Sequence, residues 1–255
     1  MRSKAELIIL NHTKFGENSI VLHTLSEEYG RRGFLVKVSP RTAMALFLPL
    51  NILEAEVSEN PKSDLWHARN FVSVSPLNGI RSDIRKNTMT LFMSEVLYRV
   101  VKDQTNEDGL ARWLKGQILT LDALKSDFVN FHLLFLLGLC AALGFDADAA
   151  GLAPFISSPP CPPERSEGSA PMRSEGSAPM RSEGSATRRS EGPSSGRVFQ
   201  AVESLLRLPF TEALLMPLSG IDRNAIAESI LKYIEYHTES AVNVRSLAVL
   251  REIYG

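Results

Sequence analysis

The hydrophobic pattern of this 255-residue chain changes period once, near residue 75, and that switch limits the fold more than any motif does. Before it, apolar residues alternate. "SIVLHTL" sets Ile20, Leu22 and Thr24 against Val21, His23 and Leu25, and "GFLVKV" sets Phe34, Val36 and Val38 against Leu35 and Lys37. "AELIILNHT", "LNILEAEVSE" and "DLWHARNFVSVS" complete a set of five strand-like runs, with turn signals at "FGEN", "EYG" and "ENPKSD". Five short strands of this kind predict a small closed barrel, because closure removes exposed sheet edges. After "SPLNG" the spacing becomes helical: Ile84, Thr88, Leu91, Phe92 and Val96, then Leu110, Trp113, Leu114, Ile118 and Leu121. Further on, Phe199, Val202, Leu205 and Leu206 form a short run. Ile221, Ala225, Ile226, Ile230, Tyr233 and Ile234 follow, with Asp222 a plausible N-cap, and Leu247, Leu250 and Ile253 end the chain. The expectation is an α+β chain, a barrel over residues 1–78 followed by an all-α helical part over 79–255.

Two segments need separate treatment. "FVNFHLLFLLGLCAALGF", residues 128–145, reaches the lower edge of membrane-spanning length, but it has no cationic flanks or interfacial aromatic anchors. It reads as a buried central helix, so no membrane partner is expected. "RSEGSAPM" begins at Arg165, recurs at Arg173, decays at Arg181 and closes as "RSEG" at Arg189. A period of eight with so little apolar surface fits no solenoid, and a disordered insert over about 158–197 is expected.

Composition mainly excludes. The 28 basic and 29 acidic side chains nearly cancel, so any attraction for polynucleotide must come from a local patch. Cys140 and Cys161 make neither a metal set nor a disulfide framework, which fits a reducing cytoplasm, and no signal peptide is evident at the N-terminus. HExxH, phosphate-loop and GxSxG patterns are absent, and the five histidines are scattered. No cofactor, metal or catalytic residue is expected, and the chain is read as a non-enzyme.

Against that flat charge background, one arm stands out. From Tyr29 to Arg41 come Arg31, Arg32, Lys37 and Arg41 with no acid among them, and Lys14 can approach from the preceding strand. Alternation puts Arg31 and Lys37 on one face of an extended arm, outside the barrel. A cationic groove with an aromatic residue such as Tyr29 is what single-stranded polynucleotide requires. The plainer alternative is a solvated hairpin whose arginines pair with Glu27 and Glu28. A third reading takes "GRRG", Gly30–Gly33, as the backbone clamp of a KH-type RNA binder, which demands flanking helices.

The ordered series "GENSIVLHTLSEEYGRRGFLVKV", "LPLNILEAEV" and "WHARNFVSVSPL" resembles the N-terminal barrel of the bacterial recombination and repair protein family RecO. Glu17, Gly30, Leu50 and Glu54 fall at the family's pattern positions. "LFMSEVLYRVVKD" and "FVNFHLLFLLGLCAALGF" resemble its helical part, in the version of the Bacteroidetes-like branch. The resemblance implies an OB-fold barrel plus a helical domain, and a non-enzymatic cytoplasmic protein associated with the nucleoid. It implies binding of single- and double-stranded DNA and annealing of complementary strands. It also implies cooperation with RecR in loading RecA, and recognition of the acidic C-terminal tail of single-strand DNA-binding protein. Two features differ: "SPRTAMALFLPL" offers only Arg41 where many relatives carry more basic residues, and two cysteines cannot build the four-cysteine zinc site of some relatives. The rival from another class is a protein–protein adaptor whose helical part does the work and whose barrel is a scaffold. On the DNA reading, Arg31, Arg32, Lys37 and Arg41 as four single-strand phosphate contacts give a log–log salt slope of about −2.8 in a mobility-shift titration; a flat response would favour the adaptor.

Overall fold

The computed structural model describes residues 2–103, 109–156 and 194–254. Five strands come first: β1 (Arg2–Lys14), β2 (Ser19–Ser26), β3 (Gly30–Lys37), β4 (Ile52–Ser58) and β5 (Trp66–Ser73). They close into a barrel in the order β1-β2-β3-β5-β4, as the period-two pattern predicts. The long β1 serves two partners. Its first half pairs with β4 from Arg2↔Ser58 to Ile8↔Ile52, and its second half pairs with β2 from Ile8↔Leu25 to Lys14↔Ile20. The change of partner falls at a register slip between Ile9 and Asn11. A bulge of this kind bends a strand around a barrel corner and leaves backbone groups without a ladder partner.

One of those groups is where a helix attaches. Ile9 exchanges backbone bonds with Leu50 and Asn51 (2.7 and 3.0 Å), and the Leu10 carbonyl accepts from Ser94 Oγ at 3.0 Å. Ser94 lies on α2 (Ile84–Val100), which follows a short α1 (Asn78–Ser82). The chain continues through α3 (Leu110–Ala123), α4 (Phe131–Ala142), α5 (Ala149–Leu152), α6 (Ser195–Arg207), α7 (Phe210–Leu215), α8 (Gly220–Thr238) and α9 (Ser246–Tyr254). Asp222 is not the N-cap of α8. Ser219 is, with its Oγ accepting from the Asp222 backbone N–H at 3.1 Å while donating to Oδ2 at 2.7 Å. Residues 195–197, assigned from the sequence to the insert, form the first turn of α6; residues 157–193, which hold the repeat, lie outside the described residues. The apolar 128–145 stretch supplies α4, whose Phe131, Leu133, Phe135, Leu136 and Leu139 are fully buried. Among the described residues no helix is long and apolar enough to cross a membrane.

Two apolar clusters result. Leu7, Ile9, Ile20, Leu22, Phe34, Val36, Phe47 and Leu53 fill the barrel interior. The alternate residues Ile8, Leu10, Leu25, Leu50 and Ile52 face outward and merge with the helical core. "LIIL", residues 7–10, is therefore apolar without a break because β1 is covered on both faces there. Salt bridges from Lys115 to Glu6 (2.6 Å) and from Arg112 to Glu27 bracket the same joint.

Buried polar groups tie the helices together. The Asn130 amide donates to the carbonyls of Leu214 and Met216 (3.2 and 2.7 Å), and its Oδ1 accepts from Arg223 Nε at 3.1 Å. His132 is enclosed between Phe92 and Tyr254, and burial, reinforced by the Arg223 charge, pushes its pKa down to about 3. An unfolded histidine titrates near ~6.5. Between those values the unfolded chain binds a proton that the native state refuses, so stability falls as pH drops, by up to about 1.4 kcal/mol per pH unit. Replacing His132 by Leu is expected to flatten the acid limb of urea-denaturation midpoints plotted against pH; an unchanged limb would show that another group carries it. We further propose that the boundary near residue 78 separates two sets of elements joined by the apolar cluster that the outer face of the barrel shares with the helices. Residues 1–78 expressed alone would then bare Ile8, Leu10, Leu25, Leu50 and Ile52 and aggregate or bind an apolar dye; a monomeric, cooperatively melting fragment would contradict this.

Candidate nucleic-acid interface

The tight turn between β2 and β3 makes the cationic arm. Gly30 adopts φ +59°, a left-handed conformation that glycine takes at little steric cost, and Ser26 Oγ accepts from the Tyr29 N–H at 3.1 Å. Alternation along β3 then sends Arg31, Gly33, Leu35 and Lys37 outward, and Arg32, Phe34 and Val36 toward the barrel interior. Outward at Arg31, however, is toward α2.

Arg31 is 6% exposed. Its guanidinium donates to the carbonyls of Tyr98 (2.7 Å) and Val101 at the C-terminal end of α2, lies over the Tyr98 ring at 4.6 Å, and forms an ion pair with Asp103 at 2.9 Å. Burial lowers its pKa, and Asp103 opposes that shift. His23 packs edge-on to the same ring at 5.0 Å, and its pKa is lowered by burial and then by Arg31. A cation at these carbonyls satisfies acceptors that a helix end leaves open and complements the helix dipole. Arg31 is thus a fastening between barrel and helices and not a surface contact for phosphate. The sequence placed it on the correct strand face without showing that α2 covers that face.

Arg32 and Tyr29 are also engaged. The Arg32 guanidinium stacks on Trp66 at 4.4 Å, and Tyr29 meets the same indole edge-on at 5.0 Å while its hydroxyl lies 2.8 Å from Ser3 Oγ. Together they plug one end of the barrel. Glu27, the expected partner of the arginines, pairs with Arg112 instead. The segments flanking Gly30–Gly33 are strands, so the KH-type arrangement does not occur.

The remaining three candidates lie at the opposite end. Lys14 ends β1, Lys37 ends β3, and Arg41 sits in the loop just beyond; all three are exposed. Among the described residues none of them forms an ion pair. The register Lys14↔Ile20↔Val36 sets Lys14 two strands from the end of β3, about 10 Å away. The exposed ring of Phe15 stands in the turn beside them. Sequence reasoning missed the neighbouring β5 residues His67, Arg69, Asn70 and Phe71. Asn70 adopts φ +57° at a second register slip, between Glu54 and Glu56 on the partner strand. Its amide donates to Glu56 Oε1 (2.9 Å), and Arg69 donates to Oε2 (2.9 and 3.1 Å). The Asn70 and Arg69 bonds hold the Glu56 carboxyl below its ordinary range. An asparagine inside an otherwise alternating strand was the available signal.

This geometry defines a class, an OB-like five-stranded barrel with a helical region built onto its outer wall. Residues 81–150 match the family described as "Recombination protein O C terminal". The "DNA repair protein RecO" of Bacteroides fragilis is 36% identical over 149 residues, 56% of this chain and 61% of the relative. That of Flavobacterium johnsoniae is 30% identical over 155 residues, 59% of this chain and 65% of the relative. That of Flavobacterium psychrophilum is 24% identical over 261 residues, the whole of both chains. The chain thus spans 61% of the length of the first of these relatives, and the resemblance to RecO read from the strand series is borne out.

Arg31→Ala is expected to cost about 2–3 kcal/mol of unfolding free energy, because two carbonyls at the end of α2 lose a charged donor. Arg32→Ala should cost about 1 kcal/mol or less, the range of a partly exposed cation–π contact. Urea denaturation checks both, and equal small losses would contradict the fastening role.

Proposed function

We propose that this chain is a non-catalytic DNA-binding protein of repair and recombination, with Lys14, Lys37 and Arg41 as its phosphate contacts. The observation that carries this reading is the set of three exposed cations without ion-pair partners among the described residues, at one end of a barrel, in a chain whose relatives are named DNA repair proteins. A chain of net charge −1 has no bulk attraction for a polyanion, so a local patch must supply it. In this reading single- and double-stranded DNA both bind through their backbones. Annealing follows from neutralisation: two strands held along one cationic rim repel each other less. Cooperation with RecR, loading of RecA, and recognition of the acidic tail of single-strand DNA-binding protein complete the proposal. They are supported by the RecO resemblance.

Three single-strand contacts instead of four lower the expected salt slope to about −2. Changing Lys14, Lys37 and Arg41 together to Glu should weaken oligothymidine binding at least tenfold in a mobility-shift titration, while the Tm stays within about 2 °C because surface substitutions rarely cost much. Unaltered affinity would remove this rim from the mechanism. Wild-type protein showing no salt-sensitive retention on DNA would favour the adaptor reading.

A further inference from the structure

β3 and β5 close the barrel through two residue pairs alone, Phe34↔Trp66 and Leu35↔His67. Beyond them the strands part, because the Asn70 irregularity, clamped by Glu56, bends β5 away. The gap is a cavity of about 290 Å³ in the barrel wall. Its floor is apolar, made by Val36, Ala68, Phe47 and Phe71, the two rings meeting edge-on at 5.1 Å. Lys37 and His67 stand on its rim, and Thr42, next to Arg41, lines it too. Neither Lys37 nor Arg41 has an ion-pair partner among the described residues. An apolar slot with an aromatic floor, Lys37 at its mouth and Arg41 next in the chain to its lining Thr42 fits a planar ring carried on a phosphodiester chain. Its volume, at the small end of the range for ligand sites, suits one ring system better than an extended peptide strand.

We propose that the slot between β3 and β5 is a subsite for one unpaired nucleobase of single-stranded polynucleotide, with Lys37 and Arg41 holding the adjoining phosphates. The proposal rests on the DNA-binding reading and deepens it. A paired base cannot leave its duplex without losing stacking, so the slot gives the barrel a preference for single strands that phosphate contacts alone do not provide.

The test uses the full chain and two oligonucleotides of equal length, oligothymidine and a strand in which abasic sites replace the bases, titrated by fluorescence anisotropy across salt. The phosphates are identical, so both should show the same salt slope, while the abasic strand should bind about tenfold more weakly, the order of one lost base-stacking contact. The Ala68→Leu variant, which fills the slot, should bring both strands to the weaker affinity, with circular dichroism reporting its fold. Equal affinity of the wild type for the two strands overturns the slot and leaves the cationic rim standing, the pattern expected if the slot instead takes an extended peptide. A folded Ala68→Leu protein that keeps the tenfold difference overturns it as well. Failure of both strands to bind overturns the DNA-binding reading itself.

Discussion

The structure depends on β1 being covered on both faces. Leu7 and Ile9 close the barrel interior while Ile8 and Leu10 enter the helical core, so one strand belongs to two apolar clusters at once. The bulge between Ile9 and Asn11 turns that double burial into a joint, because it frees the Leu10 carbonyl at the point where Ser94 of α2 arrives. Arg31 fastens the same helix about one turn further on, at its C-terminal end. The barrel is therefore held to the C-terminal half of α2 at two points, and Arg31, beside the β2–β3 turn, is committed to the interior of the molecule. The exposed Lys14, Lys37 and Arg41 lie at the opposite end.

This division explains how one cluster of like charges in the sequence separates into two roles in space. Arg31 and Lys37 share a strand face and are six positions apart. One is buried against helix carbonyls that carry partial negative charge; the other projects into solvent beyond the end of the helix. Arg32 faces inward and is spent on Trp66. Charge density along the chain measures none of this.

What was legible in the sequence was whatever repeats locally. Period-two runs gave all five strands, the change after residue 75 gave the longer helices but not the short α1, α5 and α7, and the unbroken apolar run gave buried α4. The outward direction of Arg31 was legible as well. Its partners were not, since Tyr98 and Val101 lie 67 and 70 positions away and contribute backbone oxygens that no side chain announces. The Asp222 cap was misplaced by three residues because Ser219 and Asp222 bond to one another, and either one suits an N-terminus. The slot beside Phe71 stayed hidden because it arises from strands parting, a property of register and not of residue type.

The central claim is that polynucleotide meets the Lys14, Lys37 and Arg41 end of the barrel and not the Gly30–Gly33 turn. Hydrogen–deuterium exchange of the full chain with and without saturating oligothymidine tests it most directly. The account predicts protection within residues 14–20, 35–42 and 67–71, with residues 26–34 unchanged. Protection centred on residues 26–34, with the other three segments unaffected, would contradict it.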